Sequence, residues 1–160
     1  MISLKRHKVA PADLLTSNLF DERTFYRAFL QDLKTCQKEV IIESPYITTS
    51  RLRTLSPALR KLVKKGVVVR VNTRFPNHHD RLLRIQAWQA RKELKNIGVK
   101  VKFFHDYHHR KIAILDERVL WEGSLNILSQ SHSREVMRRI ESEQLSRQMI
   151  SFLKLKRFYW

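Results

Sequence analysis

Cysteine, glycine and acidic charge are all scarce in this chain, and each shortage closes off a class of protein. Cys36 is the only cysteine among 160 residues, so no intrachain disulfide can form and no cysteine-based zinc site can be built. Only three glycines occur, and no linker, internal repeat or low-complexity tract interrupts the sequence. No apolar run approaches the ~20 residues that cross a bilayer, which argues against an integral membrane protein. The basic stretch from Met1 to Ala10 lacks the apolar segment of a secretory signal, and with a single thiol this gives a cytoplasmic expectation. Acidic residues number 15 against 32 Lys and Arg, leaving a formal charge of +17. A field of that sign attracts polyanions, nucleic acid first and acidic membrane surfaces second. A basic ribosomal-type protein would carry the same charge, so composition alone does not choose between them.

What is present is ordinary globular material. Hydrophobic residues make up 42% and charged residues 29%, and a chain of this length buries roughly 70% of its unfolded surface in one core. Residues 1–18 show no clear periodicity and read as a basic arm or a short edge element, with residues 19–160 as one domain. Asp21 opens an amphipathic stretch with Phe25, Phe29, Leu33 and Cys36 on one helical face. EVIIE at 39–43 reads as a buried strand stopped by Ser44-Pro45. A second helix is expected from about Ser56, with Pro57 in its first turn, to Lys65. Gly66 then leads into the strand VVVRV, and a third helix follows Asp80 and closes at Gly98. Strands are expected over 99–104, 109–115, 119–122 and 135–140. A last helix is expected over 143–153, with Leu145, Met149 and Phe152 on one face. This order predicts an α/β fold, a mixed sheet sandwiched between helices.

The residues from His109 to Asn126 read HRKIAILDERVLWEGSLN. On an extended strand His109 and Lys111 share a face, while Ile112 and Ile114 take the other. The chain turns at Asp116-Glu117-Arg118 and returns to Gly123-Ser124-Leu125-Asn126, where Ser124 and Asn126 are again two apart. If the hairpin pairs, imidazole, ammonium, hydroxyl and amide converge on a space fit for one phosphate. Lys111 neutralises non-bridging oxygens, Ser124 and Asn126 donate hydrogen bonds as charge builds, and a neutral His109 can attack phosphorus. A second, protonated imidazole would donate to the leaving oxygen. This chemistry requires no metal and no cofactor.

His-x-Lys, four residues, Asp, six residues and Gly-Ser-x-Asn resembles the HKD signature of the phospholipase D superfamily. The match uses His109, Lys111, Asp116, Gly123, Ser124 and Asn126 without a spacing departure. Six fixed types at ~5% usage each would meet by chance about once per million chains of this length. The resemblance implies a phospholipase D-like fold, a covalent phosphohistidine on His109 and a supporting role for Asp116. It also places Glu135 as the carboxylate that orients the histidine. The chain holds one copy of the motif, and its size and element order look like the short Nuc-type endonucleases. The implication is a homodimer whose two His109 residues act as nucleophile and general acid.

Other residues have a structural reading beside the functional one. Tyr46, after the buried EVIIE strand, can stack a base or pack. Arg70 and Arg74, with Asn72 between them, alternate outward from their strand and can track phosphates or face solvent. His108 should point away from His109. His105, His108, His109 and His132 lack acidic or thiol partners at ligand spacing, so no metal site is expected. Trp88 and Trp121 suit a core or an interface better than a stacking platform. The leading expectation is a metal-independent nuclease with DNA favoured over RNA, whose binding collapses between about 50 and about 500 mM salt. The alternatives are a phospholipase or phosphatidyltransferase acting on anionic lipid, helped by Phe158-Tyr159-Trp160 after its basic run, and a catalytically silent nucleic-acid-binding module. A larger helicase or defence complex as the natural unit is left open.

Overall fold

Seven strands form one sheet in the order β1-β7-β6-β5-β2-β3-β4, and helices cover both of its faces. A computed structural model of the chain describes residues 16–156. The basic arm with Lys5, Arg6 and Lys8, and the tail Phe158-Tyr159-Trp160, lie outside the described residues. The strands are β1 (Asn18–Asp21), β2 (Glu39–Glu43), β3 (Val68–Arg74), β4 (Lys100–Phe104), β5 (Ile112–Leu115), β6 (Val119–Gly123) and β7 (Val136–Glu141). The helices are α1 (Phe25–Thr35), α2 (Thr49–Lys64), α3 (Arg81–Ile97) and α4 (Glu143–Phe152). The parallel strands β2, β3 and β4 are joined through α2 and α3, and the remaining pairings are antiparallel. Among the described residues no helix is long and apolar enough to cross a membrane.

Alternation along the strands divides the core in two. Val40, Ile42, Val69 and Val71 face α1, α2 and α3 in the larger cluster, together with Phe25, Phe29 and Leu33 of α1. Trp121 is fully buried against Phe25 and Phe29, and its Nε1 donates to Asp32 at 2.8 Å. The core reading of Trp121 therefore holds, while Trp88 is partly exposed and meets Phe75 and Phe103 edge-on. Ile41, Ile112, Ile114, Leu120 and Ile140 face the other way and are covered by Ile150 of α4 and by Leu155.

Several expectations shift. The first strand begins at Asn18, so the domain takes in residues assigned to the arm, and Ser17 Oγ accepts from Arg138 at 2.6 Å. The second helix starts seven residues before Ser56, at Thr49, and carries Pro57 in its interior. Thr48 caps it by accepting from the Arg51 N–H, and the buried stripe Leu52, Leu55, Leu59 and Leu62 runs unbroken past the proline. Packing along that stripe outweighs the backbone bond that Pro57 cannot make. In the last helix the buried residues are Ser146 and Ile150, and Phe152 is exposed. The helix after Asp80 begins as expected, with the Asp80 carboxylate accepting from Leu83 N at 3.0 Å. It ends at Gly98, whose φ of 98° an L side chain rarely adopts.

Candidate active site at the open end of the sheet

The register opposes Ile112 at the start of β5 to Glu43 on one side and to Glu122 on the other. The segment just before it leaves the sheet where β2 ends and β6 ends. His109 and Lys111 lie on this lead-in and not on the strand itself, which begins at Ile112. They nevertheless meet: Lys111 Nζ is 2.8 Å from His109 Nδ1 and donates to the His109 carbonyl at 2.8 Å. Burial lowers the pKa of His109, and the charges of Lys111 and Arg74 lower it further, which favours the neutral ring. Burial also lowers the pKa of Lys111, while the negative charge of Glu135 opposes that shift. An ammonium has only donors, so Nδ1 accepts here and the single ring proton sits on Nε2.

Glycine at 123 lets β6 and β7 close up, because a Cβ there would strike the Val136 carbonyl oxygen and the Met137 side chain. The glycine thus shapes the strand pair and presents no side chain to a substrate. Ser124 follows; its N–H donates to Val136 O at 2.9 Å, and its hydroxyl donates to Glu135 Oε2 while accepting from Val136 N. The other Glu135 oxygen accepts from Ser133 at 2.6 Å. Ser124 and Glu135 are thus hydrogen-bonded to each other, Glu135 acts on Lys111 through its charge, and the hydrogen-bond partners of the carboxylate are serines, not His109. Asn126 lies two residues on, its Oδ1 buried and without a hydrogen-bond partner, and its carbonyl closes a turn to Ser129 and Gln130.

That loop is held by Ser44, which the sequence marks as the end of a strand, and by Tyr26, Thr48 and Arg51, which it does not single out. Ser44 Oγ accepts from Leu128 N at 3.2 Å, and Thr48 N donates to Leu128 O at 2.9 Å. Tyr26 donates to Ile127 O at 2.9 Å. Arg51 donates through Nε to Gln130 O at 3.0 Å and lies 3.7 Å over the Tyr26 ring. These links join segments tens of residues apart, so no local pattern announces them.

Tyr46 and Arg74 do reach the site. The Tyr46 ring meets that of His109 nearly edge-on at 6.2 Å. Arg74 acts electrostatically on His109, with its guanidinium 4.8 Å over the Tyr107 ring. Arg70 does not; its Nε is 2.7 Å from Glu39 Oε1, farther back along the sheet, so it holds an ion pair. Asp116 stands at the opposite end of the β5–β6 hairpin. Its carboxylate accepts from the backbone N–H groups of Gln37, Lys38 and Glu39 at 2.8, 2.7 and 3.0 Å, and from Cys36 Sγ at 3.0 Å. Burial alone would raise its pKa, but these bonds outweigh it and hold the carboxyl low. It clamps the hairpin tip to the α1–β2 turn and takes no part at His109.

His108 is structural, as its position in the alternation suggests. It is buried, stacks on Phe104 with ring centres 5.0 Å apart, and lies 3.5 Å from Glu43 Oε2. Burial first, then the Arg110 charge, pushes its pKa down to about 4. Glu43 is fully buried, which raises its pKa against the opposing Asn72 amide and Arg110.

A neutral imidazole, an ammonium and a serine–carboxylate pair, grouped where a mixed sheet opens, define a domain built for phosphoryl chemistry. Residues 29–155 match the family model described as "Cardiolipin synthase, PLD-like domain". The chain belongs to that PLD-like domain family, within the phospholipase D superfamily of phosphodiesterases. Its fold is similar to that of Nuc, a phospholipase D family member from Salmonella typhimurium, with a TM-score of 0.73 at 15% identity over 87% of this chain and 91% of that one. NucT from Helicobacter pylori gives 0.69 at 17% identity, covering 87% and 93%. Phosphatidylserine synthase from Haemophilus influenzae gives 0.70 at 15% identity, covering 89% of this chain and 38% of that one. No curated protein sequence matches the chain.

Proposed function

We propose that the protein is a metal-independent nuclease, acting on DNA in preference to RNA, that works through a covalent phosphohistidine on His109. The observation that carries this reading is the His109–Lys111 pair at 2.8 Å, beside Ser124 and Glu135, in a chain of +17. The motif supports phosphodiester chemistry, and the charge favours a polyanionic substrate among phosphodiesters.

The arriving phosphate draws Lys111 away from Nδ1 and takes its charge onto the non-bridging oxygens. The ring can then carry its proton on Nδ1 and present the Nε2 lone pair. Nε2 attacks phosphorus; the P–N bond forms as the P–O bond to the leaving group breaks, and that oxygen takes a proton from a second, protonated imidazole. Water then attacks phosphorus, gives its proton to the second imidazole, and the P–N bond breaks. The sequence holds one His-x-Lys pair of this motif. A second copy of the chain supplies the second imidazole, which makes the working unit a homodimer, as family resemblance suggests.

The test is cleavage of labelled single- and double-stranded DNA in EDTA by wild type and by His109→Ala. Wild type should cut, and His109→Ala should lose turnover by about 10³-fold or more while still binding DNA. Retained turnover in the variant would refute the nucleophile, and strict metal dependence would refute the mechanism. The family description and the phosphatidylserine synthase likeness favour a second reading, a lipid phosphodiester as substrate. Under that reading the wild type would process anionic phospholipid vesicles and leave DNA intact.

A further inference from the structure

The cavity beside His109 is unused by the chemistry described above. It measures about 470 Å³, and its walls include Phe104, Asp106, Tyr107, His109 and Arg110. Tyr107 is 83% exposed, so its ring is open to a ligand. The Arg74 guanidinium lies 4.8 Å from the centre of this ring, and the His78 ring stacks beside it at 6.0 Å with the planes inclined by 29°. Arg74 is also, after Lys111, one of the two cations whose charge acts on His109, so the exposed ring is one residue removed from that histidine.

Aromatic rings, cations and hydrogen-bonding groups beside a phosphate-binding histidine are the features that hold a nucleobase. A carboxylate (Asp106) and a guanidinium (Arg110) on the same walls can meet the polar edge of a base. A paired base has both faces stacked and its polar edge occupied, so only an unpaired base can lie against this ring. A phosphate at His109 and Lys111 leaves its adjoining nucleoside within reach of the cavity.

We propose that Tyr107, backed by Arg74, forms a subsite for the unpaired nucleobase next to the scissile phosphate, so that the enzyme favours single-stranded or locally unpaired strands. This rests on the nucleic-acid reading of the site. It adds a contact that depends on the base, not on the backbone charge.

The test uses the His109→Ala protein, which on the proposed mechanism binds without cutting, and fluorescence anisotropy at low salt. A dT12 strand is compared with a 12-mer of the same phosphates whose sugars are abasic. The base-bearing strand should bind about tenfold more tightly. Tyr107→Ala, added to His109→Ala, should abolish the difference, and Tyr107→Phe should keep it. The exposure of Tyr107 lets the ring be truncated without opening the core. Equal affinity for the two strands, or a preference that persists in Tyr107→Ala, would overturn the subsite while leaving the nuclease reading intact. If neither strand binds and anionic phosphatidylglycerol vesicles do, the nucleic-acid reading itself falls and takes the subsite with it.

Discussion

His109 gains its character from what surrounds it. Burial first, then the charges of Lys111 and Arg74, lower its pKa and extend the neutral form to lower pH than in an ordinary histidine. In the proposed mechanism the neutral form attacks, so the acid limb of the kcat/KM profile should lie below the usual histidine value of ~6.5. Removing a positive charge relieves the depression: Arg74→Met should move that limb to higher pH, whereas an unmoved limb would detach Arg74 from the nucleophile. At this scale the motif was fully legible, because its six residue types stand at fixed spacing. Tyr107 was not, since a lone exposed aromatic in a loop carries no pattern until the fold sets it beside Arg74. Arg70 and Arg74 looked alike along their strand, yet only the one at its C-terminal end reaches the site, while the other meets Glu39.

Elements hold the site open by fastening loops to one another. The Asp116 clamp ties the β5–β6 hairpin to the turn before β2 through three backbone donors and Cys36. Asp116→Ala leaves those N–H groups without an acceptor, at a cost of about 2–3 kcal/mol. That should lower the melting midpoint by about 5–10 °C in calorimetry, while turnover persists below the transition. Because the folded pKa of Asp116 is held below its ordinary value, its stabilisation is complete above about pH 4 and is lost only as the pH falls through the lowered value. An Asp116→Ala protein with wild-type stability and no turnover would return this residue to the chemistry. The EVIIE strand and the helix from Asp80 to Gly98 were readable because local signals and tertiary packing agree there. The start of α2 was hidden because Pro57 mimics a first-turn proline, and only the leucine stripe shows that the helix continues through it.

On the proposed mechanism the whole molecule presents one half of a symmetric task. A single chain offers one His109, one Lys111 and one Ser124–Glu135 pair, and the proposed cycle needs a second imidazole to protonate the leaving oxygen. The α/β class and the mixed sheet were readable from the rhythm of helices and strands. The placement of β1 beside β7 was not, because its residues pair with strands more than a hundred positions away. The most direct test of the two-chain site is sedimentation and DNA cleavage on the same samples across a dilution series. The account predicts a dimer whose activity per chain falls as it dissociates. A monomer that cuts at a rate per chain independent of concentration would contradict it.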